Sequence, residues 1–241
     1  MNSETSLDES PQNLERPPGS APSVRPTTTG PDRCRPEARV AEVVIPVILG
    51  VTVPEDHYYL VHSLIKTRCR KDMTQRGWTF APFQGRQVED LIHFDKKRHS
   101  PALVIRCRAD DLGYVQKIAS TDARVGNHIL RFGEPFIRQI EPCPMLTSPL
   151  VLVTSDSDTR GVKGTDFGMH VGKRLGAMLG RINFGVEFGP RRAVHIKGSR
   201  LFGHSVTIKG LTDKESIRLQ IEGIGERRGM GLGAFWREGR R

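Results

Sequence analysis

From Val40 onward the chain passes twice through the same order of elements: strand, helix, strand, strand, helix, strand. That order limits the fold more than any other feature of the sequence. In the first pass AEVVIPVILGV (41–51) reads as a buried strand, TVPEDH as a turn and helix start, and YYLVHSLIKTRC (58–69) as a helix with apolar periodicity. WTFAPF and PALVIRCRA read as strands, ADDLGYVQKIAS as a short helix with an acidic start, and NHILRFGEPFIRQI as a strand or bent ribbon. In the second pass PLVLVTS (149–155) is a buried strand, DFGMHVGKRLGAML a helix, and RINFGVEFG with AVHIKGSRLFGHSVTIKG strand and hairpin. TDKESIRLQIE is a further helix, because Thr212 or Asp213 supplies a cap ahead of Ile217, Leu219 and Ile221, and GAFWRE is the last strand. Two β-α-β-β-α-β units predict an α+β protein of two tandem ferredoxin-like (RRM-like) domains with antiparallel sheets, over 39–146 and 147–241. One mixed α+β domain is the competing arrangement.

Residues 1–38 are rich in Pro, Ser, Thr and charge and nearly lack large apolar side chains, so they are expected to form a disordered tail. The first residues are acidic and polar rather than basic then apolar, and no run approaches the roughly 20 apolar residues of a membrane span. A cytoplasmic protein is expected. Cys34, Cys69, Cys107 and Cys143 lie far apart with no CxxC pair, which speaks for reduced thiols and against a zinc site or a disulfide framework.

The formal charge of +10 is unevenly placed: residues 160–241 hold 17 Lys and Arg against 7 Asp and Glu, while the remainder balances at 20 against 20. A basic excess concentrated in the last third is the electrostatic footprint of a polyanion binder, because neutralising phosphates releases counterions. A solvated basic face without a ligand is the plainer alternative.

Between the last helix and the last strand stands GIGERRGMGLG, residues 223–233. Glycines let backbone amides approach a ligand closely, so Gly223, Gly225, Gly229 and Gly231 could cradle phosphate, with Arg227 and Arg228 adding bidentate contacts. The signal is weak by itself. A dinucleotide fingerprint follows a strand and opens a helix, and a P-loop ends in GK before Ser or Thr; neither fits here, and a glycine-rich turn with two solvated arginines remains open.

HSVTIKGLTDKESIRLQIEGIGERRGMGLGAFW (204–236), together with VTVPEDHYYLVHSL (51–64), resembles the CRISPR-associated repeat-processing endoribonucleases of the RAMP superfamily, the sixth Cas protein in the usual naming. The first stretch is similar to that family's closing helix, glycine loop and final strand, the second to the loop and first helix of one branch. The resemblance implies two RRM-like domains with the glycine loop near the first helix and RNA on the basic face. It implies endonuclease action on CRISPR repeat RNA: the ribose 2′-hydroxyl attacks the adjacent phosphate without metal or cofactor, leaving a 2′,3′-cyclic phosphate and a 5′-hydroxyl and yielding guide RNA. Other subunits of a CRISPR effector complex are expected as further partners. The alternative is a non-catalytic RAMP-type RNA-binding subunit of a guide-RNA complex; a nucleotide binder is disfavoured by the context of the glycines.

Such an attack needs a base, an acid and positive charge near the phosphorane. By resemblance His57, at the start of the first helix, is the expected general base or acid; of the adjacent Tyr58 and Tyr59, which point in different directions on a helix, at most one can face its substrate and hydrogen-bond the phosphate, and Tyr58 is placed in the catalytic set. A capping or surface histidine and a packing tyrosine are the bland readings. Lys173 and Arg174 on a helix, and Arg191 and Arg192 near a turn between strands, are expected to contact the RNA backbone. His170, three residues before Lys173, is a reserve. His62 does not share the face of His57. Asp156 and Asp158 could be read as a DxD metal site but fit a polar loop better, so no metal site is expected.

Overall fold

The computed structural model describes residues 40–71, 73–94, 101–152 and 164–237; the expected tail, Cys34 and the Asp156–Asp158 loop lie outside them. The first half contains β1 (Val40–Leu49), β2 (Thr52–Pro54), α1 (Tyr58–Cys69), β3 (Thr79–Ala81), β4 (Arg86–Val88), β5 (Leu91–His93), β6 (Ala102–Arg108), α2 (Leu112–Gln116), β7 (Ala123–Val125), β8 (His128–Phe132) and β9 (Phe136–Arg138). Its main sheet runs β3-β6-β1-β9, all antiparallel, which is the ferredoxin-like order. Beyond β9, β1 shifts register between Val47 and Leu49 and pairs with β8.

Alternation along the two central strands divides the environment cleanly. Val43, Ile45 and Val47 of β1, with Leu103, Ile105 and Cys107 of β6, pack against Val61, Ile65 and Cys69 of α1 and Val115 of α2. On α1 the buried positions Tyr58, Val61, His62, Ile65 and Cys69 recur at three- and four-residue intervals, the stripe of an amphipathic helix. The opposite sheet face carries Val44 and Val104, which meet Ala234 and Trp236 of the second half. Burial pushes the Cys69 thiol up to about 11 and the Cys107 thiol up to about 12, so both stay protonated at neutral pH.

The second half contains β10 (Met145–Val151), α3 (Gly164–Leu179), β11 (Gly185–Ile196), β12 (Ser199–Lys209), α4 (Asp213–Glu222) and β13 (Trp236–Arg237). Its sheet runs β11-β12-β10-β13, the same order again, so both expected ferredoxin-like repeats are present. Thr212 and Glu215 close a capping box at the start of α4. Arg181 pairs with Glu215 and holds its carboxyl down at about 2.

Some details differ from the sequence reading. β2, β5 and β4 form a separate three-stranded sheet, and α2 has five residues flanked by 3-10 turns. Arg191 and Arg192 do not lie at a turn: they are inside β11, just past a register shift between Phe188 and Arg191. The Gly189-Pro190 pair that read as a strand end is absorbed there as a bulge. No helix among the described residues is long and apolar enough to cross a membrane.

Candidate functional site

The glycine run is a joint between the halves. His62 on α1 is buried and donates from Nδ1 to the Gly229 carbonyl at 2.9 Å, and Thr79 Oγ1 donates to the Arg228 carbonyl at 2.8 Å. Gly223, Gly229 and Gly231 are buried. The amides of Gly223, Gly231 and Gly233 donate within the protein, to the carbonyls of Leu219, Arg228 and Leu150. Close approach explains the composition best at Gly233, where φ is +67° and a Cβ would sit 1.7 Å from the Ile224 carbonyl oxygen. Only the side chains of Arg227 and Arg228 remain exposed from this run.

Beside it, Arg106 crosses from one half to the other while fully buried. It donates to Glu42 Oε1 at 3.0 Å, to the Gln220 carbonyl at 2.7 Å, to Gln220 Oε1 at 2.9 Å and to the Phe235 carbonyl at 2.6 Å. Its guanidinium lies 3.8 Å from the centroid of the Trp236 ring. Glu42, directly opposite it in the β1–β6 register, also accepts from Arg138 at 3.2 Å.

On another side the halves leave a groove of about 960 Å³, bounded by the loop before α1, the β3–β4 connection and β11. Glu55, Asp56, His57 and Tyr58 line it from the first half, and Arg192 and His195 from the second. Arg86 and Arg138 add positive charge.

His57 is the N-cap of α1, as its place in the sequence predicts, yet it is 1% exposed. Its Nδ1 donates to the Pro54 carbonyl at 2.9 Å and its Nε2 accepts from the Phe83 amide at 2.9 Å. Those two bonds fix the neutral Nδ1-H tautomer. Burial lowers its pKa, opposed by the bonds to Pro54 and Glu55 and by the charges of Asp56 and Glu55. Tyr58 stacks on it with centroids 5.2 Å apart and planes at 6°. Burial pushes the Tyr58 phenol up to about 12, so it keeps its proton and can act only as a hydrogen-bonding group at neutral pH.

The other expected residues are spread out. Lys173 and Arg174 are exposed on α3. Arg191 lies 4.0 Å over the Phe202 ring. Arg192 pairs with Glu55 across the groove at 2.5 Å. Asp56 and His195 were not singled out by sequence: Asp56 Oδ2 accepts from both the His195 backbone amide and its Nδ1, the latter at 3.0 Å. The signal existed in the Val194-His195-Ile196 alternation, where the two flanking side chains are buried and the histidine faces out. Among the described residues no cluster of three or more His, Cys, Asp or Glu is arranged to hold a metal.

Known proteins share this architecture. The family model described as Cas6 Crispr matches residues 44–238. A relative from Myxococcus xanthus (strain DK1622), a CRISPR-associated endonuclease Cas6, is 26% identical over 201 residues, covering 80% of this chain and 80% of its own. A solved structure described as a RAMP protein binding different RNA substrates aligns with a TM-score of 0.57 at 15% identity, over 82% of this chain and 98% of that one. A second, described as CRISPR associated protein Cas6, gives 0.56 at 16% identity over 82% and 99%. At these identities the solved structures bear on the fold, whereas the family match spans most of the sequence: the chain belongs to the Cas6 family.

Proposed function

We propose that this protein is an endoribonuclease that cuts CRISPR repeat RNA in the groove between its two halves, by attack of a ribose 2′-hydroxyl on the adjacent phosphate. The observation that carries the reading is the groove itself, where His57, Tyr58 and His195 share one lining with Arg86, Arg138 and Arg192. Those are the groups in-line transesterification requires: histidines to carry a proton and a phenol to donate a hydrogen bond, beside cations that face the developing phosphorane charge. Protein cations take the place of a metal, and the products carry a 2′,3′-cyclic phosphate and a 5′-hydroxyl. Exposed Lys173, Arg174, Arg191, Arg227 and Arg228 supply phosphate contacts outside the groove. Tyr58 donates to a phosphate oxygen once its hydroxyl is reached. His57 enters proton transfer only after the Phe83 amide releases its Nε2; with that bond intact it braces the loop.

A non-catalytic RNA-binding role is the second reading, favoured by one observation: both ring nitrogens of His57 are engaged within the protein. Purified full-length protein and labelled repeat RNA in EDTA separate the two. One cleavage position with a cyclic-phosphate end supports the nuclease, and tight binding of the cognate repeat without a cut favours the second reading.

A further inference from the structure

We propose that His195, oriented by Asp56, is the acid–base histidine of the groove, a catalytic assignment that rests on the nuclease reading above. β11 and β12 are joined by the two-residue turn Lys197-Gly198, both residues with positive φ, at 50° and 78°. Such a turn matches the strand twist and keeps the hairpin in register to its tip. Val194 and Ile196 are buried in an apolar cluster with Tyr58, Leu150 and Leu152, which anchors the strand beside α1. The pleat therefore sends His195 to the other face, where its side chain is 63% exposed and lines the groove.

Asp56 then fixes the ring. A carboxylate oxygen can only accept, so the 3.0 Å contact places a proton on Nδ1, and in the neutral ring the lone pair is then on Nε2. The backbone amide of His195 donates to the same oxygen, so the strand and the imidazole are located by one atom. Orientation by a carboxylate on the far nitrogen is the device by which acyl-transfer triads hold a histidine in its working tautomer. Here it is combined with an Nε2 that accepts no hydrogen bond among the described residues. His57 gives the opposite arrangement: its Nε2 is occupied, while its bonds to Pro54 and Phe83 hold the loop on which Asp56 is the preceding residue. The buried histidine thus positions the carboxylate that positions the exposed one.

In the step this arrangement performs, the 2′-oxygen bonds to phosphorus as the bond from phosphorus to the 5′-oxygen breaks. The 2′-hydroxyl proton passes to His195 Nε2. Water protonates the leaving 5′-oxygen, and the resulting hydroxide takes the proton back from His195, so nothing is consumed. Arg192, three residues away on β11, lies in the same lining to face the phosphorane.

Single-turnover cleavage of labelled repeat RNA in EDTA, with RNA affinity measured in parallel, tests the assignment in the full chain. His195→Ala and His195→Gln are expected to lose roughly 100-fold or more in rate with RNA affinity retained. Added imidazole is expected to restore part of the His195→Ala rate. Asp56→Asn is expected to lose rate without imidazole rescue, and Asp56→Glu to regain part of it. Wild-type rates in both His195 variants overturn the dyad and leave the nuclease standing, as does a loss confined to affinity with the rate at saturating protein unchanged. Wild-type protein that binds its cognate repeat and never cuts it overturns both.

Discussion

The two halves meet along two seams of opposite character. At the glycine loop, buried side chains bond backbone: His62 and Thr79 donate to loop carbonyls, Gly231 leaves no room for a Cβ against the Phe80 carbonyl, and Arg106 is enclosed by Glu42, Gln220 and Phe235 under the Trp236 ring. At the groove the contacts centre on charged side chains reachable by solvent, with Arg192 on Glu55 and His195 on Asp56. Enclosed contacts set geometry because breaking one strands a polar group away from water. Exposed ones are worth little to stability and can exchange partners with a ligand. One seam fixes how the halves sit, and that leaves the other free to hold charged groups in place for a substrate.

The largest effect that bears on this contrast is expected from Arg106→Met, which takes the buried guanidinium away from the fully buried Glu42 carboxylate. Denaturant unfolding should show a loss of about 3–5 kcal/mol. Gly233→Ala comes next, at about 2–3 kcal/mol, since the loop backbone must shift to admit the methyl group. Gly77→Ala is its control: φ is similar at +68° but nothing lies within 4 Å of the added atom, so only the left-handed penalty of about 1 kcal/mol should appear in the same titration. Equal losses at the two glycines would break the account of close packing within the glycine loop on which the closed seam is built. The smallest stability change is expected at the open seam, where Arg192→Ala should cost less than about 1 kcal/mol. Its effect should appear in RNA binding, as a slope of log affinity against log salt shallower by about 0.7. A large stability loss there would make the groove part of the structural frame.

Periodicity made most of the fold legible. The β1 and β6 strands announced themselves as apolar runs, α1 by its stripe and α4 by its capping box. The small β2-β5-β4 sheet was not legible, because three-residue strands carry too few residues to show alternation. Glu42 and Arg106 each interrupt an apolar strand and are matched across the β1–β6 register, but the pairing exists only once that register is known. The site was legible in part. The helix start at His57 could be located, whereas its burial depends on Phe83, which arrives from a different connection. His195 and Asp56 are 139 positions apart, and only the docking of the hairpin tip against the loop before α1 brings them together.

The segment from Gly223 to Trp236 supplies the lid over Val44 and Val104, a carbonyl for Arg106 and the edge strand of the second sheet. All of these come from one continuous stretch of the chain. A nascent chain that has reached Glu222 has both sheets nearly built, but its central guanidinium lacks the Phe235 carbonyl and the Trp236 ring, and the outer face of the first sheet is bare. Folding during synthesis is therefore ordered: the two halves can fold in turn as they emerge, but they lock together only once the glycine loop and the strand after it have followed.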